Sequence, residues 1–215
     1  MSRRGRFITL EGGEGAGKST QAVRLADWLR GQALSVLVTR EPGGSRRAEA
    51  LRELLLGGRV APFGAEAEAL VFAIARADHV IETIRPALEI GKWVISDRFM
   101  DSTRAYQGAA GVSYDALDRL EEIAVGETRP DLTLILDLPP ALGLQRMRKR
   151  EGPVDRFEAD EVQVHEARRR AFLDIASRAA DRCVVIDASA DENEVAQLIR
   201  LTVAERLKPL PAGSI

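Results

Sequence analysis

The sequence predicts an α/β fold in which a doubly wound, five-stranded parallel sheet is flanked by helices on both faces. Three observations lead to this prediction: five short apolar runs rich in β-branched residues, helical stretches between them, and a glycine-rich segment after the first run. Short apolar runs of this kind are typical of buried parallel strands. In such a sheet, ligands bind at the carboxyl ends of the strands.

The predicted strands are, in order, RFITLEG, SVLVTRE, KWVISDR, LTLILDL and CVVIDAS. The first predicted helix starts near Gly17 and carries one apolar stripe: Ala22, Leu25, Ala26 and Leu29. Two further helical stretches, 65–90 and 114–125, are markedly apolar. We expect one cleft to collect the charged residues at the strand ends, which are Glu11, Arg40, Glu41, Asp97, Arg98, Asp137 and Asp187.

Length and composition indicate one globular domain. The 215 residues fit a single unit over 1–215, and two prolines and a glycine end the last helix in a frayed tail at 208–215. Hydrophobic residues make up 45% of the chain and charged residues 30%, which argues against disorder. Because the net charge is only −2, we expect neither nucleic acid nor a membrane as a partner.

Cysteine and histidine are too scarce for a disulfide framework or a zinc site. Cys183 is the only cysteine, which fits a buried thiol in a reducing compartment. His79 and His165 have no Cys or His partner at ligand spacing. The first residues, MSRRGRF, contain no apolar stretch of signal or membrane-spanning length, so we expect a cytoplasmic protein.

The glycine-rich segment GGEGAGKS matches the phosphate-binding pattern G-x-x-x-x-G-K-[ST], with the required strand before it and helix after it. Its backbone N–H groups can converge on phosphate oxygens, Lys18 can reach the β and γ phosphates, and Ser19 can hold Mg²⁺. A glycine-rich turn that only resembles the motif is the alternative. The residues predicted to bind ATP with Mg²⁺ are Gly12, Gly13, Glu14, Gly15, Ala16, Gly17, Lys18, Ser19 and Thr20.

A phosphate-binding loop alone does not separate a kinase from a GTPase switch, an ATPase motor or a regulatory ATP-binding module. The sequence contains no [NT]-K-x-D motif for reading guanine, and no second conspicuous domain for hydrolysis to move. Both observations favour a small kinase.

Two residue pairs are candidates for the phosphoryl acceptor site. Phe72 and Arg76 share a helix face, where the ring can stack on a base and the guanidinium can donate to its carbonyl, which suits a pyrimidine. Core packing is the alternative for Phe72. Asp97 can hold a magnesium water or approach the acceptor, and Arg98 can bind the acceptor phosphate. A structural ion pair is an equal alternative for Asp97 and Arg98.

A cationic segment over 145–156 predicts a hinged lid at about 146–158, because Gly152 and Pro153 interrupt the helix. The variable positions of the phosphate loop carry no cation, so the catalytic arginine would have to come from this lid. Arg146 suits stacking on adenine, which leaves Arg150 or Arg156 as the catalytic arginine. A solvated basic helix face is the alternative.

The chain carries a specific series of motifs: FITLEGGEGAGKST, TREPGGS, FxxxR, ISDRFMDSTRAYQG, RPDLTLILDLPP, an Arg-rich segment before DRFE, and VIDAS. In this order, over roughly residues 7–189, they resemble the bacterial type of the thymidylate kinase family. The resemblance implies transfer of the γ-phosphoryl group of ATP to dTMP, giving dTDP and ADP for dTTP biosynthesis. It also implies a homodimer formed through helices, for which the stretches 65–90 and 114–125 are candidates.

The same resemblance implies substrate roles by position. Phe72 would stack on thymine, Arg76 would donate to it, and Arg98 would bind the dTMP phosphate. Glu14 would accept from the sugar 3′-hydroxyl, and Tyr106 would lie where a 2′-hydroxyl would clash. The remaining residues predicted for the substrate site are Arg40, at a strand end, and Thr103 or Arg104, beside the thymine edge.

Three positions depart from the family pattern: Ser45 where Thr is usual, Phe99 where Tyr or His is common, and Phe157 where some relatives have Tyr. Because the last change removes a possible hydroxyl contact, Phe157 is not assigned to the site. Two further interpretations stay open on sequence alone. One is a kinase for another small acceptor, either a deoxynucleoside or a different nucleoside monophosphate, and the other is a nucleotide-binding regulator without turnover.

Overall fold

A computed structural model describes residues 4–148 and 156–208 of the chain. Over these residues the chain forms one parallel sheet in the order β2-β3-β1-β4-β5. Its strands are β1 Phe7–Gly12, β2 Val36–Arg40, β3 Trp93–Asp97, β4 Leu132–Asp137 and β5 Cys183–Asp187. The predicted α/β fold and its five strands are therefore confirmed.

The helices of the described residues alternate with the strands as predicted. They are α1 Lys18–Gly31, α2 Arg46–Leu56, α3 Ala65–His79, α4 Arg85–Glu89, α5 Met100–Ala109, α6 Tyr114–Val125, α7 Pro140–Arg148, α8 Val162–Arg178 and α9 Glu192–Leu207. A 3₁₀ turn at Ala61–Phe63 precedes α3. A π-helical turn at Val80–Ile84 joins α3 to α4, so the apolar stretch predicted as one helix over 65–90 is continuous but not uniformly α-helical.

Side chains of the central strand alternate between the two faces of the sheet. Ile8 and Leu10 pack with Leu25 of α1 on one face, where α9 also lies. Phe7 packs on the other face with Phe99, at 4.9 Å between ring centroids. This period of two is what a strand buried on both faces requires. The edge strands β2 and β5 are only partly buried, because each has a neighbour on one side alone.

The strand order places the glycine-rich loop at the centre of one sheet edge. β1 lies between β3 and β4, with Leu10 opposite Asp97 and Gly12 opposite Leu136. The chain leaves β1 directly into the loop and α1, while β3 ends beside it in Asp97 and Arg98. A cleft forms where the connections diverge to opposite sides of the sheet, and this is where doubly wound folds bind ligands.

Part of the predicted lid falls outside the described residues. Arg146 and Arg148 belong to the end of α7, and the description resumes at Arg156. Arg150, Gly152 and Pro153 lie outside it, as do residues 209–215 of the predicted tail. Within the described part of the chain, no helix has the length and apolarity needed to span a bilayer.

Candidate active site

A cavity of about 420 Å³ opens at the carboxyl end of the sheet. It is lined from the glycine-rich loop, the β2–α2 connection, α3, the β3–α5 segment and α7. The predicted site residues in its lining are Glu14, Gly15, Gly17, Lys18, Ser19, Thr20, Arg40, Phe72, Arg76, Asp97, Arg98, Thr103, Tyr106 and Arg146. Most of the residues assigned from sequence therefore meet in one place.

A second cavity of about 230 Å³ adjoins the first. The two share lining at Gly15, Gly17, Thr20 and Arg146. The second cavity continues past Ala16 to the segment that follows β5, where Arg146 Nη1 donates to the Ala188 carbonyl at 2.9 Å. Arg146 therefore lies at the boundary between the two cavities.

The glycine-rich loop needs glycine where its backbone turns and approaches α7. Gly15 has a φ of +71°, and a Cβ atom added there would lie 2.2 Å from the Gly143 carbonyl oxygen. No other residue type fits both the conformation and the contact. The Lys18 ammonium donates to the carbonyls of Gly12 and Gly13 at 3.1 and 2.6 Å. Burial, together with the charge of Arg98, lowers the pKa of Lys18.

Ser19 and Asp97 supply adjacent oxygen atoms at the cavity wall. The Ser19 hydroxyl donates to a carboxylate oxygen of Asp97. Among the residues that the structure describes, no three His, Cys, Asp or Glu side chains gather into a metal site. Magnesium bound with nucleotide phosphates keeps several waters and needs only one or two protein oxygens. The hydroxyl and carboxylate of this pair therefore fit that ion.

Arg98 lies between the loop and α5 in an unusual backbone conformation. Its φ is +70°, a left-handed value uncommon for residues other than glycine. The Ser96 hydroxyl donates to its carbonyl at 2.7 Å, and its amide donates to the Leu10 carbonyl at 2.9 Å. The guanidinium donates to the Gly12 carbonyl at 3.2 Å and to Glu14 at 2.7 Å. Backbone strain held in this way is found mostly at functional sites.

The carboxylate of Glu14 is the acceptor that faces Arg98. The Tyr106 hydroxyl also donates to Glu14 Oε1, at 2.5 Å. Burial alone would raise the pKa of Glu14, but the charges of Arg98 and Lys18 and the tyrosine hydrogen bond together lower it to about 2. Burial raises the pKa of Tyr106, so its hydroxyl keeps its proton. Glu14 is therefore an ionised acceptor at neutral pH.

Phe72 and Arg76 lie on the α3 wall of the cavity, as predicted from their spacing. Phe72 is half-buried, and its ring centroid lies 6.3 Å from that of Phe157. Arg76 donates through Nη2 to the Phe99 carbonyl at 3.0 Å and to the Thr103 hydroxyl at 2.9 Å. This wall combines an aromatic face with a fixed guanidinium.

Comparison with known proteins agrees with this geometry. The family model described as thymidylate kinase matches residues 10–199. The chain belongs to the thymidylate kinase family. A thymidylate kinase from Bradyrhizobium diazoefficiens is 50% identical, with 100% of this chain and 95% of the relative covered. One from Afipia carboxidovorans is 53% identical, with 97% and 93% covered.

A solved structure extends the likeness to three dimensions. The crystal structure of thymidylate kinase from Ehrlichia chaffeensis is 31% identical, with a TM-score of 0.75, and the match covers 93% of this chain and 99% of that one. The family predicted from the motifs is confirmed. Membership of the thymidylate kinase family makes the chain a transferase of the nucleoside monophosphate kinase type.

One predicted substrate residue of this family member lies outside the cavity. Arg104 donates to Glu121 at 2.6 and 2.8 Å and pairs with Asp118 at 2.7 Å. Both acidic residues belong to α6. Consecutive residues of a helix point about 100° apart, so Thr103 faces the cavity and Arg104 faces α6. Of the two residues that the sequence left as alternatives, Thr103 lines the cavity and Arg104 does not.

The expectation that one cleft collects every charged strand end is also wrong. Asp137 is paired with Arg169 at 2.7 and 2.9 Å, and Asp187 accepts from the Ser189 amide at 2.8 Å. Neither lines the main cavity. Charged strand ends are therefore divided between the main cavity and local structural pairs.

Glu11 is buried behind the main cavity rather than in its lining. Its carboxylate accepts from the Phe99 amide at 2.8 Å and from the Ser102 amide and hydroxyl at 3.2 and 2.6 Å. These amides belong to the start of α5, where Phe99 has no side-chain acceptor of its own. Burial and the charge of Asp101 raise the pKa of Glu11 to about 8.

Arg156, predicted as a catalytic lid residue, is held against α3. Its guanidinium donates to Glu68 and lies 4.4 Å from the centroid of the Phe157 ring. Glu68 is 5% exposed and Arg156 does not line the main cavity. In this conformation the pair ties the segment that begins at Arg156 to α3.

Several cavity-lining residues were missed from the sequence. They are Pro42, Arg52, Leu56, Phe99, Ser102, Gln107, Met147 and Phe157, whereas Glu41 lines the cavity as expected of a charged strand end. Phe157 was set aside for lack of a hydroxyl, yet its ring centroid lies 5.6 Å from that of Tyr106 in an edge-on contact. Its position after a cationic segment carried no signal of this packing. Arg52 donates to the Pro42 carbonyl at 2.7 Å, a contact between segments that spacing alone does not reveal.

Proposed function

We propose that this enzyme transfers the γ-phosphoryl group of ATP to dTMP, giving dTDP and ADP. The observation that carries the proposal is a single cavity that joins the phosphate loop at Lys18 and Ser19 to the base-binding wall at Phe72 and Arg76. Arg98 lies between these two regions. A donor phosphate and an acceptor phosphate bound at the two ends would therefore meet beside Arg98.

On the donor side, backbone N–H groups of the loop and the amino terminus of α1 bind the ATP phosphates. Lys18 exchanges its loop carbonyls for phosphate oxygens, and adenine enters the second cavity beside Arg146. Ser19 and Asp97 would hold Mg²⁺, and the chemistry that the ion would supply is neutralisation of phosphate charge. Catalysis by the protein is then mainly positioning and charge stabilisation.

On the acceptor side, the proposed roles follow the geometry of each group. Arg98 binds the dTMP phosphate, and Glu14 accepts from the 3′-hydroxyl because an ionised carboxylate can only accept. Phe72 stacks on thymine while Arg76 donates to it. Tyr106 occupies the space that a 2′-hydroxyl would need. The remaining proposed substrate contacts are Arg40 and Thr103.

We also propose that the whole chain acts as one kinase domain, with a lid at about 146–158 that supplies an arginine to the transferred phosphoryl group. A lid excludes water and completes the charge-neutralising set only when both substrates are bound.

A cytoplasmic, reducing location is consistent with the single cysteine, whose thiol is buried. Burial raises the pKa of Cys183 to about 11, which keeps the thiol protonated and unreactive.

The substrate proposal predicts a clear preference in an assay that couples ADP release to a panel of acceptors. We expect dTMP to give the highest kcat/KM among dTMP, dUMP, AMP, GMP, CMP and thymidine. The physical reason is that the base wall suits a pyrimidine, Tyr106 opposes a ribose, and Arg98 needs a phosphate. Equal rates across the panel would refute the substrate proposal. A preference for thymidine would indicate a nucleoside kinase instead.

We further propose a homodimer formed through α3 and α6. These helices pack against each other and expose large apolar side chains, among them Leu70 at 51%, Ile74 at 58% and Ile123 at 81%. Exposed apolar groups at this density are typical of a surface that another chain covers.

Sedimentation analysis tests the homodimer. We expect the native protein to sediment as a dimer, and Ile123→Lys to shift it towards the monomer because a buried, unpaired charge opposes association. Leu201→Lys is the matched control, since Leu201 is 60% exposed on α9, away from the proposed interface. A monomeric native protein, or equal effects of both substitutions, would contradict the proposed interface.

A further inference from the structure

The geometry points to Glu41 as a positioning residue for base recognition, which acts by holding Arg76 and is itself held by His79. We propose that this buried chain of hydrogen bonds gives the site its preference for a carbonyl over an amino group on the pyrimidine. The inference deepens the proposed function and rests on it, because it concerns the same base-binding wall.

The first observation is the buried ion pair between Glu41 and Arg76. Arg76 Nε donates to Glu41 Oε2 at 2.7 Å, and each side chain is 4% exposed. Nη2 of the same guanidinium is engaged by the Phe99 carbonyl and the Thr103 hydroxyl. Among the described residues, Nη1 has no hydrogen-bond partner, and Arg76 lines the cavity. The anchored atoms thus leave one donor group for a ligand.

The second observation is that the other oxygen of Glu41 is also occupied. His79 is fully buried, with Nδ1 at 3.0 Å from Glu41 Oε1 and Nε2 at 2.7 Å from the Thr39 hydroxyl. A carboxylate can only accept, so Nδ1 carries the proton. In the neutral imidazole Nε2 then accepts from Thr39, and every group in this chain of hydrogen bonds has one defined role.

The third observation is that the backbone closes over this chain of hydrogen bonds. Gly44 has a φ of +83°, and a Cβ atom added there would lie 2.2 Å from His79 Nε2 and 2.5 Å from the Thr39 hydroxyl oxygen. The Gly44 carbonyl accepts from the Thr83 hydroxyl at 2.8 Å, which ties the loop to the turn after α3. Because the space is filled, His79 and Glu41 are held in one arrangement.

The consequence concerns the edge of the base. Thymine presents the O4 acceptor where cytosine presents an amino donor. A guanidinium fixed at Nε and Nη2 offers a donor in one direction, and it cannot pair with an amino group there. A site built to hydrogen-bond one group strongly rejects an analogue that lacks it, because the buried polar group of the site is then left unpaired. Glu41 contributes to this preference for a carbonyl over an amino group by holding Arg76, without contacting the base.

The test compares kcat/KM for dTMP and dCMP in the native enzyme and in Glu41→Gln. Glutamine keeps the size but loses the charge, so Arg76 is less firmly held. We expect the dTMP:dCMP ratio to fall by about tenfold or more, mainly through a higher KM for dTMP, with kcat at saturation changed by less than about threefold.

The matched control is Glu121→Gln. Glu121 is also 4% exposed and paired with an arginine, Arg104, but it lies outside the cavity. This variant should lose stability by a similar mechanism and keep the native dTMP:dCMP ratio. If both variants change the ratio equally, general destabilisation explains the result and the inference fails.

Two other outcomes are distinguishable. A native enzyme that shows no preference for dTMP refutes the proposed function, whereas a native preference that Glu41→Gln retains in full refutes only the role of Glu41. Thermal unfolding followed by circular dichroism shows whether each variant folds. If Glu41→Gln does not fold, His79→Gln decides, since it leaves the ion pair intact and should lower the ratio by about threefold. An unchanged ratio in that variant overturns the inference.

Discussion

Replacing Lys18 with methionine is expected to lower kcat by about 10²- to 10³-fold. Methionine keeps the length and apolar stem of lysine but removes the ammonium group. That group is buried at the amino end of α1 and, among the described residues, its hydrogen bonds go to carbonyls of its own loop, at 2.6 and 3.1 Å. These are contacts that phosphate oxygens can replace. Without the ammonium group, the charge that develops on the transferred phosphoryl group is no longer stabilised by a buried cation.

Steady-state kinetics with both substrates varied measures this effect. The KM for dTMP should change by only a few-fold, because Glu14, Phe72 and Arg76 remain in place to bind the acceptor. Lys92→Met serves as the control. Lys92 is exposed and lies just before β3, at the amino end of the sheet, so its replacement should leave kcat at the native value. A Lys18→Met enzyme with near-native kcat would contradict the assignment of Lys18 to the transferred phosphate.

Replacing Arg150 with alanine is expected to lower kcat by about 10³-fold while the KM for dTMP changes little. Of the two lid arginines that the sequence left unranked, Arg156 is engaged by the buried carboxylate of Glu68. Leaving that pair would strand a buried charge, which is costly. Arg150 is therefore the stronger candidate for the transferred group, and Arg156→Ala should lower kcat by less than about tenfold.

Turnover and thermal stability, measured together, separate the two roles. Arg156→Ala should lower the Tm, because it leaves Glu68 without its ion-pair partner. Arg150→Ala should instead act mainly on turnover. Arg178→Ala is a control for loss of positive charge, since this side chain is 67% exposed on α8, where it pairs with Asp174 and lies over the Tyr114 ring outside the cavity. A large loss of kcat in Arg156→Ala alone would reverse the assignment. Small, equal effects from both lid variants would contradict lid-arginine catalysis.

The fold could be predicted because each local signal agreed with the global one. Five apolar runs, separated by helices, allow few arrangements other than a parallel sheet covered on both faces. The phosphate loop was equally predictable, since its glycines, Lys18 and Ser19 are required by backbone geometry and by phosphate chemistry. Its neighbours in sequence complete the motif, so no long-range contact was needed to find it.

The acceptor site was predicted only in part. The spacing of Phe72 and Arg76 placed them on one helix face, but spacing did not show whether Thr103 or Arg104 pointed the same way. That choice depended on α6, whose Glu121 and Asp118 attract Arg104 to the far side of α5. Glu11 is likewise an acidic residue near a strand end, yet it binds the amino terminus of α5 because Phe99 supplies no side-chain cap.

By itself, the sequence determined the α/β fold, the strands, the phosphate loop and membership of the thymidylate kinase family, because these depend on local periodicity and on motifs of fixed spacing. Only the tertiary structure showed that Glu41 and His79 hold Arg76, that Arg156 pairs with Glu68, and that Arg104 lies outside the main cavity. Each of these contacts joins residues that lie 17 to 88 positions apart in the sequence. Hydrogen bonds at such separations follow from how elements pack, and a single sequence carries no periodic signal for them.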